Sequence, residues 1–293
     1  MSNILIAIII VLYTMQSFLC KKYTDNYPGN SKLASPVYTV VSATIAVIVS
    51  YAVAGFKFSA SWLTIALGVV NALSLFGYNY FIIKCSQSGP SSILMVFSVA
   101  GGITVPAVCA CIGFGDPISI GRIISILVIF VSVYMVSKKP GEAGGKIKKS
   151  FYALCLGLGI CNGIYAAIFD VQQRLTSTTE REELIAVTYF VAAVLSAIML
   201  FARHRNQLKS AFRQTKVSGI YLIACSLVVA VTIHIVAYVL PFVNVTVLYT
   251  IENASVLLLS VLCSCLFLKE KLSLMNIVGC LTMCAGLVAV SLL

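Results

Sequence analysis

Long apolar runs separated by short polar segments make up almost the whole chain. A helix needs about 20 apolar residues to cross a bilayer, and ten runs approach or exceed that length. The pattern therefore predicts an all-α membrane protein with ten transmembrane helices and no separate soluble domain. The predicted helices are Ser2–Cys20, Leu33–Gly55, Ser61–Ile83, Pro90–Gly113, Ile118–Ser137, Phe151–Gln172, Leu184–Ala202, Ser218–Leu240, Val243–Leu268 and Leu272–Leu293.

The second half of the chain repeats the pattern of the first. An acidic turn at Asp116 precedes the fifth run, and one at Glu270 precedes the tenth, an offset of 270 − 116 = 154 residues. The same offset aligns Ser125 with Gly279, which indicates similar small-residue packing. Because five helices per copy is an odd number, the second copy is expected to enter the membrane in the opposite orientation. The predicted domains are residues 1–138 and 150–293, two inverted repeats joined by a basic loop at 139–149.

Composition and charge support this class and suggest an orientation. The chain is 60% hydrophobic and only 10% charged, whereas about a quarter of the residues are charged in a soluble domain. Of its 20 Lys and Arg residues, 16 fall in odd-numbered loops and 4 in even-numbered ones. By the positive-inside rule, both termini lie outside the cell. The net charge of +11 is explained by these loops, which can contact anionic lipids, and no nucleic-acid partner is expected.

Cysteines and catalytic groups give no sign of a cofactor or an enzyme. Nearly all of the 11 cysteines lie inside apolar runs, without a Cys-x-x-Cys or Cys/His cluster, so they are interpreted as small hydrophobic residues. We predict no metal and no cofactor. One buried glutamate and two histidines do not supply the paired acids or triad that an enzyme requires.

Glu252 is the strongest functional candidate. It lies roughly two turns into the ninth predicted helix, beside Asn253 and one turn from Tyr249, and is interpreted as the only carboxylate deep in an apolar run. Burial disfavours the charged form of a carboxylate, so this group is suited to exchange a proton for a cationic or polar substrate. The alternative is structural, with Glu252 bound to hydroxyls or to a lysine, for which Lys84 is the nearest candidate.

Polar faces on four other helices are candidates for the walls of a cavity. Polar residues on each of these helices recur at three- or four-residue spacing, which places them on one helix face, except that Asn79 is adjacent to Tyr78. Ordinary hydrogen bonding between helices is the more common explanation of each pair taken alone. The candidates are Gln16 on the first helix, Tyr78 and Asn79 on the third, Asn162 and Tyr165 on the sixth, and His234 and Tyr238 on the eighth. His234 is notable because histidine relays protons near neutral pH.

The fourth predicted helix contains residues that weaken or bend helices. Gly101, Gly102 and Pro106 lie in its middle. By the 154-residue offset, Ser98 aligns with Glu252. Such positions in the two halves of a transporter often mark the transport site, although close helix packing through small residues accounts for the glycines as well.

These features together resemble the drug/metabolite transporter superfamily, in its ten-helix EamA-type branch. Lys269-Glu270-Lys271-Leu272 is similar to the family's Gly-Glu-x-Leu turn, and Gly279 and Gly286 follow at the typical spacing. The first copy departs from the family with Gly115-Asp116-Pro117-Ile118, but it keeps Pro106. The resemblance covers essentially the whole chain. It implies transport through a central cavity lined by both halves, often with proton coupling, and many relatives keep both termini in the cytoplasm.

The predicted function is a secondary active transporter of small polar metabolites, amino acids, amines or drugs. It would work by alternating access in a bacterial plasma membrane, with protons, the small-molecule substrate and membrane lipids as its partners. There is no nucleotide-binding loop that would indicate ATP drive. Two alternatives stay open: a carrier without proton coupling, and a non-transporting accessory membrane subunit.

Overall fold

The computed structural model describes residues 2–28, 31–88, 91–117, 119–137, 149–176, 180–213, 215–268 and 273–292. The protein is 91% helical, and the described residues contain no β-strand. This confirms the all-α prediction. The α-helices are α1 (Ser2–Asp25), α2 (Ser31–Val53), α3 (Trp62–Ser88), α4 (Ser91–Val108), α5 (Ile120–Ser137), α6 (Lys149–Leu175), α7 (Arg181–His204), α8 (Leu208–Ala211), α9 (Lys216–Val239), α10 (Val245–Leu268) and α11 (Leu274–Leu292).

Seven segments of the described chain are long and apolar enough to cross a membrane. They are Asn3–Asp25, Leu33–Val53, Trp62–Ile82, Val96–Gly113, Lys149–Leu175, Arg181–Ala202 and Lys216–Phe242. Three further apolar segments are shorter, namely Ile123–Met135, Val245–Leu259 and Leu274–Ala289. The count of ten membrane spans therefore stays a prediction for α5, α10 and α11.

Large apolar side chains are exposed along most of these helices. Trp62, Ile112 and Ile120 have exposed fractions of 82%, 81% and 77%. A soluble protein rarely exposes apolar surface this widely. A lipid environment explains this surface, because hydrocarbon chains take the place of water around these side chains.

Three helix starts repeat at the offset found in the sequence. α3, α4 and α5 begin at residues 62, 91 and 120, and α9, α10 and α11 begin at residues 216, 245 and 274. Each difference is 154 residues (216 − 62, 245 − 91 and 274 − 120). The opposite orientation of the two copies in a membrane stays a prediction. The joining loop 139–148 and the turn at 269–272 lie outside the described residues.

The chain divides into two compact units that do not coincide with the two sequence repeats. Unit 1 comprises Met1–Phe76 and Gln172–Pro241. In it α2 packs against α7 and α9, and α1 packs against α9. A buried cluster of Leu33, Val37, Leu200 and Ala211 joins α2, α7 and α8.

Unit 2 comprises Gly77–Val171 and Phe242–Leu293. In it α5 packs against α11, and α4 packs against α5 and α10. Their shared core contains Val99, Ile103, Ile129, Val133, Ala254, Leu257 and Met283. Unit 2 also contains a buried thiol pair, Cys85 and Cys155, whose Sγ atoms lie 3.8 Å apart, and all nine cysteines that can be assessed are free.

The helix α4 is continuous through both glycines and Pro106 and then changes its hydrogen-bond pattern. A π-helical turn, Cys109–Gly113, follows it. Proline removes one backbone donor, and π-turns accommodate such an irregularity. Gly115, at φ +72°, ends this segment in a left-handed conformation that suits glycine.

The glycines of α4 allow a close approach to α6. A Cβ on Gly101 would lie 2.5 Å from the Cα of Gly159, and a Cβ on Gly163 would lie 2.5 Å from Cγ2 of Val105. Real Cβ atoms do not come this near, so the two backbones touch without side chains between them. The glycines therefore serve close helix packing, and the interpretation that they mark a transport site stays a prediction beside it.

Candidate functional site

Glu252 lies on α10, inside unit 2. Its side chain is buried, with 9% exposed, and Oε2 has no hydrogen-bond partner among the described residues. A buried carboxylate without a partner is unfavourable, so its position calls for a proton, a cation or a ligand. The neighbouring hydroxyl Oγ1 of Thr250 is also buried without a partner in the described chain.

Tyr249 connects α10 to α6 one turn before Glu252. It is 4% exposed, and its hydroxyl donates a hydrogen bond of 2.8 Å to the carbonyl oxygen of Ala166. Because the bond is buried and the phenol ring that carries its donor is rigid, it fixes the distance between the two helices. Tyr249 also interacts electrostatically with Glu252 and with Asp170 of α6.

Two asparagine amides meet beside Gly102 of α4. Asn253 Nδ2 donates to the carbonyl of Tyr249 at 2.8 Å, and Asn162 Nδ2 donates to the carbonyl of Ser98 at 2.9 Å. A Cβ on Gly102 would lie 2.8 Å from Asn162 Nδ2 and 3.2 Å from Asn253 Oδ1. An amide has two N–H donors and one carbonyl acceptor. Each amide thus retains a donor and an acceptor beyond the bond that positions it.

A second carboxylate is buried in this unit. Asp170 of α6 is 7% exposed, so Glu252 is not the only buried carboxylate of this unit, while its place deep in an apolar run stays a prediction. Sequence reasoning placed Asp170 near the end of a helix that stopped at Gln172, whereas α6 continues to Leu175. Its burial leaves no signal in the sequence, because the final turns of α6 are polar and resemble a loop.

Two of the remaining predicted residues of unit 2 pack against apolar or aromatic side chains. Tyr78 packs against the cluster around Phe151 and Cys155, and the ring of Tyr165 meets Phe169 edge to face at 5.5 Å. Asn79 is half-buried on α3. Their role as walls of a cavity stays a prediction.

Gln16, His234 and Tyr238 lie in unit 1. Gln16 is half-buried, and its Oε1 has no hydrogen-bond partner in the described chain. His234 Nε2 lies 3.0 Å from Oε2 of Glu182, so this histidine is not a lone packing residue. Glu182 was missed because its helix was predicted to begin at Leu184, whereas α7 begins at Arg181.

No grouping in the described residues has the three His, Cys, Asp or Glu side chains that would hold a metal ion. The side chains described at the site are a carboxylate, two amides and a phenol. These groups bind cations, protons and polar ligands through charge and hydrogen bonds.

Comparison with known protein families gives a match, which covers the second half of the chain. Residues 151–292 match the EamA-like transporter family. This region is an EamA-like transporter domain. The EamA-like domain contains Glu252, Asn253, Tyr249 and Asn162, and its family is one of membrane transporters of the drug/metabolite type. The predicted resemblance is thereby confirmed for this half.

The fold is shared with solved structures. One of them, titled "Crystal structure of protein", has a TM-score of 0.78 and is 15% identical, covering 99% of this chain and 98% of that chain. At this identity the likeness shows the fold alone. A search of curated proteins finds no match. The chemistry of this protein must therefore be argued from its own residues.

Proposed function

We propose that this protein is a proton-coupled secondary transporter of small polar metabolites, amino acids, amines or drugs, working by alternating access through a central cavity. Glu252 is the coupling acid. Tyr249, Asn253 and Asn162 form the polar surface beside it, while Tyr78, Asn79, Tyr165, Gln16, His234 and Tyr238 are proposed as further walls.

The position of Glu252 carries the proposal. In unit 2 the basic side chains that the structure describes are Lys84, four residues before the end of α3, and Lys149, the first residue of α6. Both of these lysines are exposed, whereas Glu252 is buried. A buried carboxylate without a fixed cation is stable when it holds a proton or a cationic group of a substrate.

Competition for one carboxylate gives a simple coupling scheme. In one state Glu252 holds a proton, and the amides beside Gly102 are free to bind water. In the other state a substrate displaces the proton, and its polar groups bind the remaining N–H and carbonyl groups of Asn162 and Asn253. Because one group cannot hold both ligands at once, movement of the substrate is linked to movement of a proton.

Ligand-dependent thermal stability tests this proposal. The purified chain would be screened against amino acids, amines, nucleosides and drugs at two pH values, as wild type and as Glu252→Gln. A ligand at a hundred times its Kd stabilises by about 2.7 kcal/mol. The proposal expects a ligand whose stabilisation depends on pH in the wild type and is lost in the variant.

A matched control is Glu180→Gln, which makes the same chemical change at the residue before α7. It should bind the ligand as the wild type does. Binding that Glu252→Gln leaves unchanged would contradict the role of Glu252 and favour a carrier without proton coupling. Absence of any ligand across the panel would favour the accessory-subunit alternative.

A further inference from the structure

The segment between α2 and α3, residues 54–61, places aromatic rings at the surface of unit 1. It is neither helix nor strand. Within it Phe56 is 70% exposed, and Trp62, which follows it as the first residue of α3, is 82% exposed. Phe58 and Tyr51, in the last turn of α2, are exposed as well, and the rings of Tyr51 and Phe56 meet edge to face at 5.6 Å.

The backbone holds Phe56 in an unfavourable conformation. Its φ of 60° lies in the left-handed region, which residues with a Cβ rarely adopt. Gly55 precedes it with φ 65°, and the N–H of Phe56 donates to the carbonyl of Tyr51 at 3.0 Å, which closes the end of α2. A large ring kept in such a conformation at the surface points to a role in binding.

The polar groups of the segment are bound to the start of α7. Glu180 Oε2 accepts hydrogen bonds from the backbone N–H and the hydroxyl of Ser61, at 2.9 and 2.7 Å. Glu183 Oε1 accepts from the backbone N–H of Ser59 at 3.4 Å. These bonds fix the segment against α7 while its aromatic rings stay exposed. The exposure of the rings is therefore part of the fold.

The spans on either side place this segment at the edge of a bilayer. Leu33–Val53 precedes it and Trp62–Ile82 follows it, and both are long and apolar enough to cross a membrane. The hydrocarbon core is excluded, because backbone groups outside a helix would there lack hydrogen-bond partners. Water alone is unfavourable for the rings of Phe56 and Trp62. The headgroup region supplies both water and apolar contact, and tryptophan and tyrosine concentrate there.

We propose that residues 54–62 form an interfacial anchor that docks unit 1 onto the headgroup region of one phospholipid leaflet. Phe56, Phe58 and Trp62 lie between the headgroups and the acyl chains, where the indole N–H of Trp62 donates to lipid oxygens or water. Lys57 is exposed and is the only charged residue of the anchor, and it binds lipid phosphate. The anchor is a lipid-binding surface beyond the proposed transport function.

Fluorescence tests the depth of the anchor directly, because Trp62 is the only tryptophan of the chain. The full chain would be reconstituted into phosphatidylcholine vesicles whose lipids carry bromine, a quencher, either near the headgroup or near the end of the acyl chain. We expect the lipids brominated near the headgroup to quench Trp62 several-fold more strongly. Quenching by aqueous acrylamide, with none by either lipid, would place the segment in water and overturn the proposal.

A matched control moves the tryptophan along the same helix. Leu73 is exposed on α3, 11 residues after Trp62 (73 − 62). At 1.5 Å per residue it lies about 16 Å deeper, which is about half the thickness of the hydrocarbon core. Leu73→Trp combined with Trp62→Phe should therefore be quenched most by the deeply brominated lipids. A native Trp62 as deep as this control would contradict the anchor.

The charge of Lys57 gives an independent measurement. In vesicles that contain phosphatidylglycerol, Lys57→Glu should increase the quenching of Trp62 by acrylamide, because lipid phosphates repel the acidic side chain. Lys57→Arg keeps the positive charge and should match the wild type. Equal quenching in all three proteins would overturn the assignment of Lys57 to lipid phosphate. None of these measurements uses a substrate or Glu252, so their failure is distinguishable from failure of the proposed transport function.

Discussion

Replacement of Gly101 by alanine should destabilise unit 2 because it forces the backbones of α4 and α6 apart. A Cβ at this position would overlap the carbonyl group of Gly159 and lie 2.5 Å from its Cα. These are backbone atoms of a helix, so no side-chain rotation relieves the overlap. The matched control is Gly113→Ala at the end of the π-turn, because a Cβ there has no atom within 4 Å.

The magnitude follows from two opposing contributions. Overpacking a well-packed position costs about 1–3 kcal/mol, and a rigid backbone neighbour places Gly101 at the upper end. Alanine recovers about 0.5–1 kcal/mol in a helix relative to glycine. The net loss is thus about 2 kcal/mol, or a thermal midpoint lowered by about 4–8 °C. Gly113→Ala should leave the midpoint unchanged or raise it slightly.

The assay is thermal unfolding of both variants in the same detergent, followed by size-exclusion chromatography to detect aggregation. If Gly101→Ala unfolds at the same temperature as Gly113→Ala or above it, the close approach of α4 and α6 is refuted. The result matters for the site as well, because this approach brings Asn162 to the carbonyl of Ser98.

Two further substitutions test the surroundings of the site and the end of unit 1. Gly102→Ala should displace the amides of Asn162 and Asn253, since its Cβ would lie 2.8 Å from Asn162 Nδ2. Ligand affinity should therefore fall several-fold in the thermal-shift assay. Unchanged affinity would exclude the amides from binding. Hydrogen bonds from the side chains of Thr64 and Ser61 and from the backbone of Ser61 lower the pKa of the Glu180 carboxyl. The stability that Glu180 adds should therefore be present at neutral pH and disappear in acid, as the pH falls through that lowered pKa. The thermal midpoints of wild type and Glu180→Gln should then differ near neutrality and converge in acid. A difference that persists in acid would contradict this account.

The positions of the helices were largely predictable because hydrophobic runs are a strong signal. The start of α10 is predicted at Val243 and observed at Val245. The start of α11, the tenth predicted helix, is predicted at Leu272 and observed at Leu274. Helix ends with polar final turns were less predictable. α1 was expected to stop at Cys20, but it continues to Asp25 because Lys22 and its polar neighbours are compatible with a helix beyond the apolar run.

The group on α10 was also predictable, since Tyr249, Glu252 and Asn253 stand out in an apolar segment. Their partners were not. Tyr249 bonds to a carbonyl 83 residues away, and Asn162 bonds to one 64 residues away. Such pairings depend on how helices pack and leave no periodic signal in a single sequence. For the same reason, Glu182 was not recognised as the partner of His234.

The most direct test of the central claim is substrate transport into proteoliposomes under an imposed pH gradient, with wild type and Glu252→Gln compared for a ligand from the thermal-shift panel. We expect the gradient to drive accumulation in the wild type. The variant should lose this response to the gradient while remaining folded, as shown by its thermal midpoint. Gradient-driven accumulation that persists in Glu252→Gln would contradict the assignment of Glu252 as the coupling acid.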